Sequence, residues 1–530
     1  MRRVALLLLV VACSADGPEL FVRVGSPARV HTLQRLELVP DHPWTVLDPS
    51  LEGFDAIELA FVATGHSTTS TCSVEIRSGE RVRALDAELM AGRCTATWDG
   101  TLDDGTPAPV GAVDAVAAIT RDAEVVEAHS PLTIVRVGLD EVQLSGDGRA
   151  PLLYRALDGV RYGYFEVDTS VAPWRNHPDA SEMDASAVSL EDGARRPHPA
   201  PWEDLTSPPL DPADLDGVER DAYNLPVAWV AGEPVGGRLS WIVEGAPTML
   251  RVVSDSSSVV LADDIVEHGA LIDFEATDWV PGVGRFDVEL ALGFESRAGD
   301  AWVRLPGTLR TTHRIYGLAS HPAFEYDDLA HRSWVDVLDR IADWLPEPTA
   351  DADAVGAAIV EGVFYELGLQ YDSQRGASHY TSYPAGGYSD AAFNLSRFQD
   401  LADGHIINCS DAASIVSTYA NMVGIDYRYH IIRHRFADGF ALNYLHAIGR
   451  DWGASPFLSG RRSFRYHAVV GPADTRIYDS TLALDGDGDP GSAPHELLLV
   501  QGLTQLDYLV GLSPQWDEVR VFEDDQVRIR

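Results

Sequence analysis

The chain has 530 residues, of which 45% are hydrophobic, and its 81 acidic side chains outnumber its 40 basic ones, for a formal net charge of −41. So acidic a surface lacks the basic footprint that nucleic-acid binding needs, and the composition therefore argues against a nucleic-acid partner. The length is that of about three domains, and the hydrophobic fraction is ordinary for a folded protein.

The N-terminus predicts export. Two arginines precede residues 4–12, which are apolar but too few to span a bilayer, as in a signal peptide covering 1–12. The tripeptide Val-Val-Ala before Cys13 resembles the lipobox of bacterial lipoproteins; this implies lipidation of Cys13, a tether over 13–45 and a lipid anchor to the membrane. Ser14, in place of aspartate, favours the outer membrane of the cell envelope. The alternative is an ordinary secretory signal.

Residues 46–137 predict an all-β domain. Short strands bounded by turns rich in Gly and Asp are expected at 56–62, 72–76, 94–98, 113–120 and 132–137. The segment 98–112, with its Trp-Asp-Gly, Asp-Gly and Val-Gly-Ala turns, resembles the Ig-like module of flagellar hook-capping proteins, which implies a structural β-sandwich and no chemistry. Cys72 and Cys94 lie close together in this domain, and an exported protein meets oxidising conditions, so we predict a disulfide between them.

Residues 138–318 predict a second β-rich domain, so that two N-terminal all-β domains are expected. Its strands are expected at 227–230, 238–243, 249–253 and 286–290, the last alternating cleanly between apolar and polar residues. A polar segment over 171–221, rich in Pro and Asp, interrupts them and is predicted to be a long inserted loop. The acidic residues of this domain form no catalytic constellation and are interpreted as solvated surface.

Residues 326–530 predict an α+β domain, because helical periodicity comes first and strands follow. Helices are expected over 329–345 and 354–367. Strands are then expected at 427–434, 440–448, 464–470 and 475–481.

Cys409 lies between these helices and strands. Residues 412–423 predict a buried helix that ends at Gly424, with Asn408 or Ser410 as its N-cap. Cys409 would then sit at the helix N-terminus, where the macrodipole and the unpaired N–H groups favour the thiolate. It is also the cysteine left over when the other three are assigned as above. The alternative is a buried cysteine that packs as a small hydrophobe.

A histidine and an aspartate follow Cys409 on two predicted strands. His467 precedes a short Gly-Pro-Ala-Asp turn and Asp479 follows it, so the two residues should be neighbours in a hairpin. Covalent acyl transfer by cysteine needs a thiolate, an imidazole to share the proton and a group that orients the imidazole. These three residues supply such a set in chain order.

The ordered motifs Cys-x-Asp-x-Ala, Gly-Ile-Asp, His-Ala and Asp-x-Thr resemble the transglutaminase-like core, over roughly 326–484. The resemblance implies a papain-like α+β fold, thiol-dependent acyl transfer from an amide without a cofactor, and a catalytic set of Cys409, His467 and Asp479. One departure is Val469, where the family often has tryptophan.

Other residues compete for roles at this site. His446 lies nearer the family's customary spacing, but no acid follows it at hairpin distance, so His467 is preferred as the base. Besides the backbone N–H of Cys409, Gln399 is a side-chain candidate for stabilising the oxyanion. Asp411 is interpreted as compensating the helix dipole, without a catalytic role.

The sequence also offers two metal-site alternatives, and neither is preferred. Histidines near Cys409 could join it in a zinc site, although they are more simply structural: His405, His430 and His434. An acidic run has the spacing of a calcium loop, although Pro490 occupies the position that needs glycine. The residues of that run are Asp485, Asp487, Asp489 and Glu496.

The sequence therefore predicts a cell-envelope enzyme of transglutaminase-like type, most simply a cysteine peptidase or amidase acting on a protein or peptide substrate. A protein cross-linking transglutaminase is the first alternative, because the same acyl-enzyme can pass to an amine. A non-catalytic surface protein that binds or scaffolds a partner is the second.

Overall fold

The structure is a computed structural model. It describes residues 37–40, 44–47, 56–150, 152–157, 162–167, 174–175, 226–245, 249–262, 265–267, 269–298, 301–324, 331–383, 391–450, 455–459, 463–473, 476–487, 489, 496–523 and 526–529. The expected signal peptide with Cys13, and all of the predicted loop 171–221 except 174–175, lie outside the described residues.

Contacts group the chain into two units. The first contains Ala56–Thr106 and Val113–Leu132, and the second runs from Thr133 to Arg530 with two short earlier segments. The first nine strands of the described residues are β1 Glu37–Pro40, β2 Trp44–Leu47, β3 Ile57–Thr64, β4 Thr71–Ser78, β5 Arg81–Leu85, β6 Ala87–Met90, β7 Arg93–Trp98, β8 Gly111–Arg121 and β9 Glu124–Leu144.

The first unit is a β-sandwich. One sheet has the antiparallel order β1-β3-β7-β6, and in the other β4 pairs with β5 and β8. Alternate residues such as Leu59, Phe61 and Val74 are fully buried, as expected of strands with one face on a core. The strands predicted in this region are confirmed.

The second unit begins with two further groups of β-strands. Its strands are the end of β9, then β10 Arg149–Ala150, β11 Leu152–Leu157, β12 Tyr162–Val167, β13 Trp174–Arg175, β14 Val227–Val230, β15 Val235–Glu244, β16 Leu250–Ser254, β17 Val259–Leu261, β18 Leu271–Ala276, β19 Gly284–Ala298 and β20 Ala301–Leu318. The strands β9, β15, β18 and β17, which pair in that order, and the sheet β10-β14-β20-β19-β16 enclose a core in which Trp241 meets Phe294 edge to face, with ring centroids 5.7 Å apart. The four strands predicted here are confirmed.

Helices and strands alternate through the rest of the second unit. They are β21 Ser333–Trp334, α1 Val335–Trp344, α2 Ala352–Tyr365, β22 Gln370–Tyr371, β23 Thr381–Ser382, β24 Ala392–Phe393, α3 Leu395–Gln399, β25 Ile406–Ile407, α4 Cys409–Met422, β26 Arg428–His434, β27 Phe440–Ala441, β28 His446–Ala447, α5 Pro456–Ser459, β29 Ser463–Phe464, β30 His467–Gly471, β31 Arg476–Asp485, β32 Leu497–Thr504, α6 Gln505–Leu512, β33 Val519–Glu523 and β34 Arg528–Ile529.

Helix α4 lies at the centre of this region. Every one of its residues is buried, because α1, α2 and the strands β26, β30 and β31 pack around it. Those strands belong to a sheet of order β28-β31-β30-β26-β33, with β32 paired to β31. A helix with no solvent face is held in place by packing on all sides, so its first residue has a well-defined position.

Three predicted elements differ from the structure. The strand expected over 464–470 is interrupted at Arg465 and Tyr466, which separate β29 from β30. The helix expected over 329–345 begins at Val335, because Ser333 and Trp334 are extended and pair with β11. The prediction of one continuous strand over 440–448 was wrong. This segment forms two short strands, β27 and β28. Between them, the side-chain amide of Asn443 donates to the carbonyls of Val510 and Gly511 at the end of α6.

Candidate active site

Cys409 is the first residue of α4. Asn408 is the N-cap, and it forms a reciprocal capping box with Asp411: the Asn408 side chain accepts from the Asp411 N–H, and the Asp411 carboxylate accepts from the Asn408 N–H. The Cys409 side chain is 4% exposed and lines a cleft of about 660 Å³. The thiol therefore lies at the wall of a cleft, where the helix dipole favours negative charge.

His467 and Asp479 form a buried pair. Nε2 of His467 is 2.9 Å from Oδ2 of Asp479, and the two side chains are essentially inaccessible to solvent. The backbone N–H of Thr481 donates to the other carboxylate oxygen at 2.7 Å. This leaves Nδ1 of His467 buried and without a hydrogen bond of normal geometry. It is the nitrogen available to the thiol.

The hairpin brings this pair together. Val470 of β30 pairs with Tyr478 of β31, so in a regular ladder His467 would lie opposite residue 481. Asp479 is two residues from that position and therefore points to the same face of the sheet. The two side chains meet diagonally, not directly across the ladder.

The surroundings of His467 favour its protonated form. Complete burial alone would lower the pKa of the imidazole, but the charge and hydrogen bond of Asp479, reinforced by the Cys409 side chain, raise it to about 10. At neutral pH the ring is then an imidazolium with a proton on Nδ1. An imidazolium beside a thiol is the arrangement that stabilises a thiolate.

Two aromatic residues complete the pair's environment. The hydroxyl of Tyr508, on α6, donates to Oδ2 of Asp479 at 2.7 Å. The Phe464 ring stacks on the His467 ring, with centroids 5.2 Å apart and planes inclined by 14°. Sequence reasoning missed both. Phe464 lies on the predicted strand three residues before His467, but nothing in the sequence around Tyr508 indicates a link to Asp479.

Asp411 does more than compensate the helix dipole. Its carboxylate is fully buried and accepts N–H bonds from Asn408, His379, Tyr380 and Thr381, at 2.7–3.3 Å. The Ser378 hydroxyl donates to it as well, at 2.6 Å. One carboxylate thus ties the loop 378–381 to the helix end that carries the thiol.

A cluster of hydroxyl groups lies behind the thiol. Tyr383 donates to the Ser410 hydroxyl at 2.7 Å and is 2.6 Å from the Tyr429 hydroxyl, and Tyr466 is 3.0 Å from the Ser410 hydroxyl. Burial raises the pKa of Tyr383 to about 12, and the nearby Cys409 adds to this effect. These tyrosines are therefore neutral hydrogen-bond donors at physiological pH.

The rival residues lie elsewhere. His446 pairs with Ala483 at the far edge of the sheet, and its ring packs near Phe364. Gln399 donates its amide to the hydroxyl of Tyr419, ten residues and about 15 Å along α4 from the thiol. The structure therefore brings His467 to Asp479, and it removes Gln399 as an oxyanion donor.

One histidine of the zinc alternative, His434, has other partners. His434 uses both ring nitrogens, because Nε2 is 2.9 Å from Glu518 and Nδ1 accepts the N–H groups of Phe436 and Ala437. Within the described residues, no three His, Cys, Asp or Glu side chains are grouped so that they could hold a metal ion.

In the acidic run, burial raises the pKa of Asp485, and the carboxylates of Asp487 and Asp489 raise it further. Asp485 accepts the N–H of Asp487 at 3.1 Å, and Asp487 accepts the N–H of Asp489 at 2.9 Å. These bonds form a tight acidic turn at the end of β31.

The structure describes three of the four cysteines. Cys72 and Cys94 form a disulfide, with Cα atoms 6.0 Å apart, that links the two sheets of the first unit. Cys409 is the free cysteine of the described residues.

No helix in the described ranges has the length and apolar character needed to cross a membrane.

Comparison with known proteins gives little. No protein-family model and no curated protein matches the chain. Among solved structures, it aligns over 53% of its length with a chimeric titin Z1Z2 tandem (6% identity, 99% of that chain, TM-score 0.14) and with fibronectin(III)-like modules of Clostridium thermocellum CbhA (11%, 94%, 0.17). The N-terminal domains of the bacteriophage RB49 outer capsid protein Hoc align similarly (7%, 69%, 0.21). TM-scores this low do not show that these proteins share a fold with the chain.

Proposed function

We propose that this protein is a thiol-dependent acyl-transfer enzyme of transglutaminase-like type that hydrolyses amide bonds in a protein or peptide. The observation that carries the proposal is the buried His467–Asp479 pair, which leaves Nδ1 of the imidazole without a hydrogen bond of normal geometry. The Cys409 side chain, which lines a cleft, is close enough to the imidazole to help raise its pKa. The raised pKa of the imidazole supports it, because a cation there stabilises the thiolate.

The residues would act in two stages. The Cys409 thiolate attacks the amide carbon and forms a C–S bond, and the carbonyl oxygen gains the negative charge. The backbone N–H groups at the start of α4 are the natural donors to that oxyanion. The C–N bond then breaks, and the amine leaves with the proton that His467 supplies from Nδ1.

Water completes the cycle. The neutral His467 takes a proton from a water molecule, the hydroxide attacks the thioester carbon, and the C–S bond breaks to release a carboxylic acid and the thiolate. Asp479 holds the ring through Nε2 in both stages, so that Nδ1 stays directed to the thiol.

An amine in place of water would make the enzyme a cross-linker. All forty basic residues are arginine, so the chain cannot supply a lysine amine of its own. Incubation with a glutamine peptide and a labelled amine separates the two reactions. Incorporated label would establish transamidation, whereas ammonia or cleavage without label would establish hydrolysis.

A non-catalytic scaffold remains the alternative from another class, and thiol labelling distinguishes it. Iodoacetamide should alkylate Cys409 rapidly at neutral pH, and His467→Ala should slow the reaction by more than tenfold, while His446→Ala should not. A Cys409 that is inert in the folded native protein would overturn the enzyme proposal.

We further propose that the protein is exported and lipid-anchored through Cys13 at the bacterial cell envelope, most simply the outer membrane. The motif before Cys13 supports this. The native protein and Cys13→Ser would be expressed in a bacterium that is grown with labelled palmitate. The native protein should carry the label and sediment with the membranes. The Cys13→Ser variant should do neither. Label retained in Cys13→Ser would contradict the anchor.

A further inference from the structure

Nearly every arginine with a described side chain has a partner. Acidic residues outnumber the forty arginines about two to one, so an ion pair is usually within reach. Among the arginines whose side chains the structure describes, Arg375 alone makes no hydrogen bond, ion pair or ring contact through its guanidinium. It is exposed, and it lines the same cleft as Cys409.

The backbone of Arg375 is fixed with respect to the thiol. The buried Asp372 carboxylate accepts the N–H groups of Gln374, Arg375 and Ala377 at 2.9–3.1 Å. The next carbonyl, that of Gly376, accepts the side-chain amide of Asn408, the N-cap of α4, at 3.0 Å. The guanidinium is therefore attached to a wall that is bonded to the residue preceding Cys409.

The other charged residues that line the cleft already have partners. Arg465 and Asp438 pair with each other at 2.9 Å. Burial works against the charge of Asp372, but its three N–H donors and His379 outweigh this and lower its pKa, so Asp372 is a carboxylate that is held by the main chain of its own loop. Arg375 is therefore the one charged residue of this lining whose side chain makes no hydrogen bond or ion pair within the described part of the chain.

We propose that Arg375 selects an acyl-donor peptide that carries a carboxylate close to the reacting amide. This rests on the proposed function, and it adds a substrate class to it. A guanidinium binds a carboxylate with two parallel hydrogen bonds, so it fixes the position of the peptide as well as its charge. The carboxylate is that of a Glu or Asp side chain or that of the peptide C-terminus.

Matched peptides separate the two sources. Three peptides of one sequence would be compared: one with Glu and an amidated C-terminus, one with Gln and an amidated C-terminus, and one with Gln and a free C-terminus. If the Glu peptide reacts faster than the amidated Gln peptide, Arg375 recognises a side-chain carboxylate. If the Gln peptide with a free C-terminus reacts faster, Arg375 recognises the terminal carboxylate. In Arg375→Gln the preference should fall about fivefold, and Arg375→Lys, which keeps the charge but not the two parallel hydrogen bonds, should restore only part of it. Equal rates for all three peptides would overturn the proposal.

A second measurement needs no turnover. Iodoacetate and iodoacetamide both alkylate a thiolate with loss of iodide, but iodoacetate carries a carboxylate. The ratio of their rates at Cys409 should fall about fivefold in Arg375→Gln. Arg397→Gln, which removes one surface charge paired with Asp403, is the control for net charge.

The outcomes are distinguishable. A native Cys409 that reacts with neither reagent would overturn the proposed function, and this inference with it. Normal labelling with the same ratio in the native protein and in Arg375→Gln would overturn this inference alone.

Discussion

The hydroxyl of Tyr508 donates to the same Asp479 oxygen, Oδ2, that contacts His467, at 2.7 Å and 2.9 Å. Three elements, β30, β31 and α6, thus converge on one carboxylate. Asp479 cannot rotate without breaking bonds to each of them, so the imidazole that it holds is kept in one orientation.

Removing the Tyr508 hydroxyl should loosen this arrangement. In Tyr508→Phe, one buried bond to a charged group is lost at nearly constant volume, which should lower the free energy of unfolding by about 2 kcal/mol and slow iodoacetamide labelling of Cys409 about tenfold. Urea denaturation and labelling kinetics measure the two effects. Tyr365→Phe, at a half-exposed site, is the control, and equal behaviour of both variants would contradict the role of Tyr508.

Replacement of Asp411 should be more damaging. Asn at this position keeps one acceptor oxygen where two now receive four N–H groups and a hydroxyl. We expect Asp411→Asn to lower the free energy of unfolding by about 3–5 kcal/mol, measured by chemical denaturation. Asp507→Asn changes an exposed carboxylate in the first turn of α6 and should cost less than about 1 kcal/mol. A small effect at Asp411 would show that the loop is held by other contacts.

The His467 pair should make stability depend on pH. The pKa of the His467 imidazole is about 6.5 in the unfolded chain and is raised to about 10 in the folded protein. The folded state therefore holds the proton more tightly, so this stabilisation is complete below pH ~6.5 and is lost as the pH rises through about 10. The difference in unfolding free energy between the native protein and His467→Gln should narrow over that interval. An NMR titration of the imidazole near 6.5 would refute the expected shift.

The disulfide should appear in a peptide map. Without reduction, the Cys72 and Cys94 peptides should be linked, and the Cys409 peptide should carry the free thiol. The bridge closes a loop with a sequence separation of 22, so Cys94→Ser should destabilise the first unit by about 3 kcal/mol. Calorimetry of the native protein and the variant measures this, and identical transitions would argue against the bridge.

Local signals were sufficient for part of the site. The N-cap, the apolar pattern after Cys409 and the closing Gly424 follow one another in a single short segment, and a short turn joins the strands of His467 and Asp479. The sequence therefore predicts both elements. Tyr508 lies 29 residues beyond Asp479, and its role depends on how α6 packs, which no local pattern encodes.

The cleft wall could not be predicted for a different reason. The segment from Asp372 to Thr381 has almost no regular structure, and its path is set by bonds from its N–H groups to two buried carboxylates, one of them 30 residues away. The same limit applies to Asn443, whose bonds to the end of α6 divide a segment that reads as one strand. Side-chain bonds of this range leave no periodicity in the sequence.

The Asp372 loop has a consequence for how this protein can diverge. Asp372 holds the loop through the main-chain N–H groups of Gln374, Arg375 and Ala377, which every amino acid except proline possesses. The side chains at these positions can therefore be exchanged while the path of the loop is kept. Under the role proposed for Arg375, a single codon change at position 375 would alter the peptide preference without changing the fold.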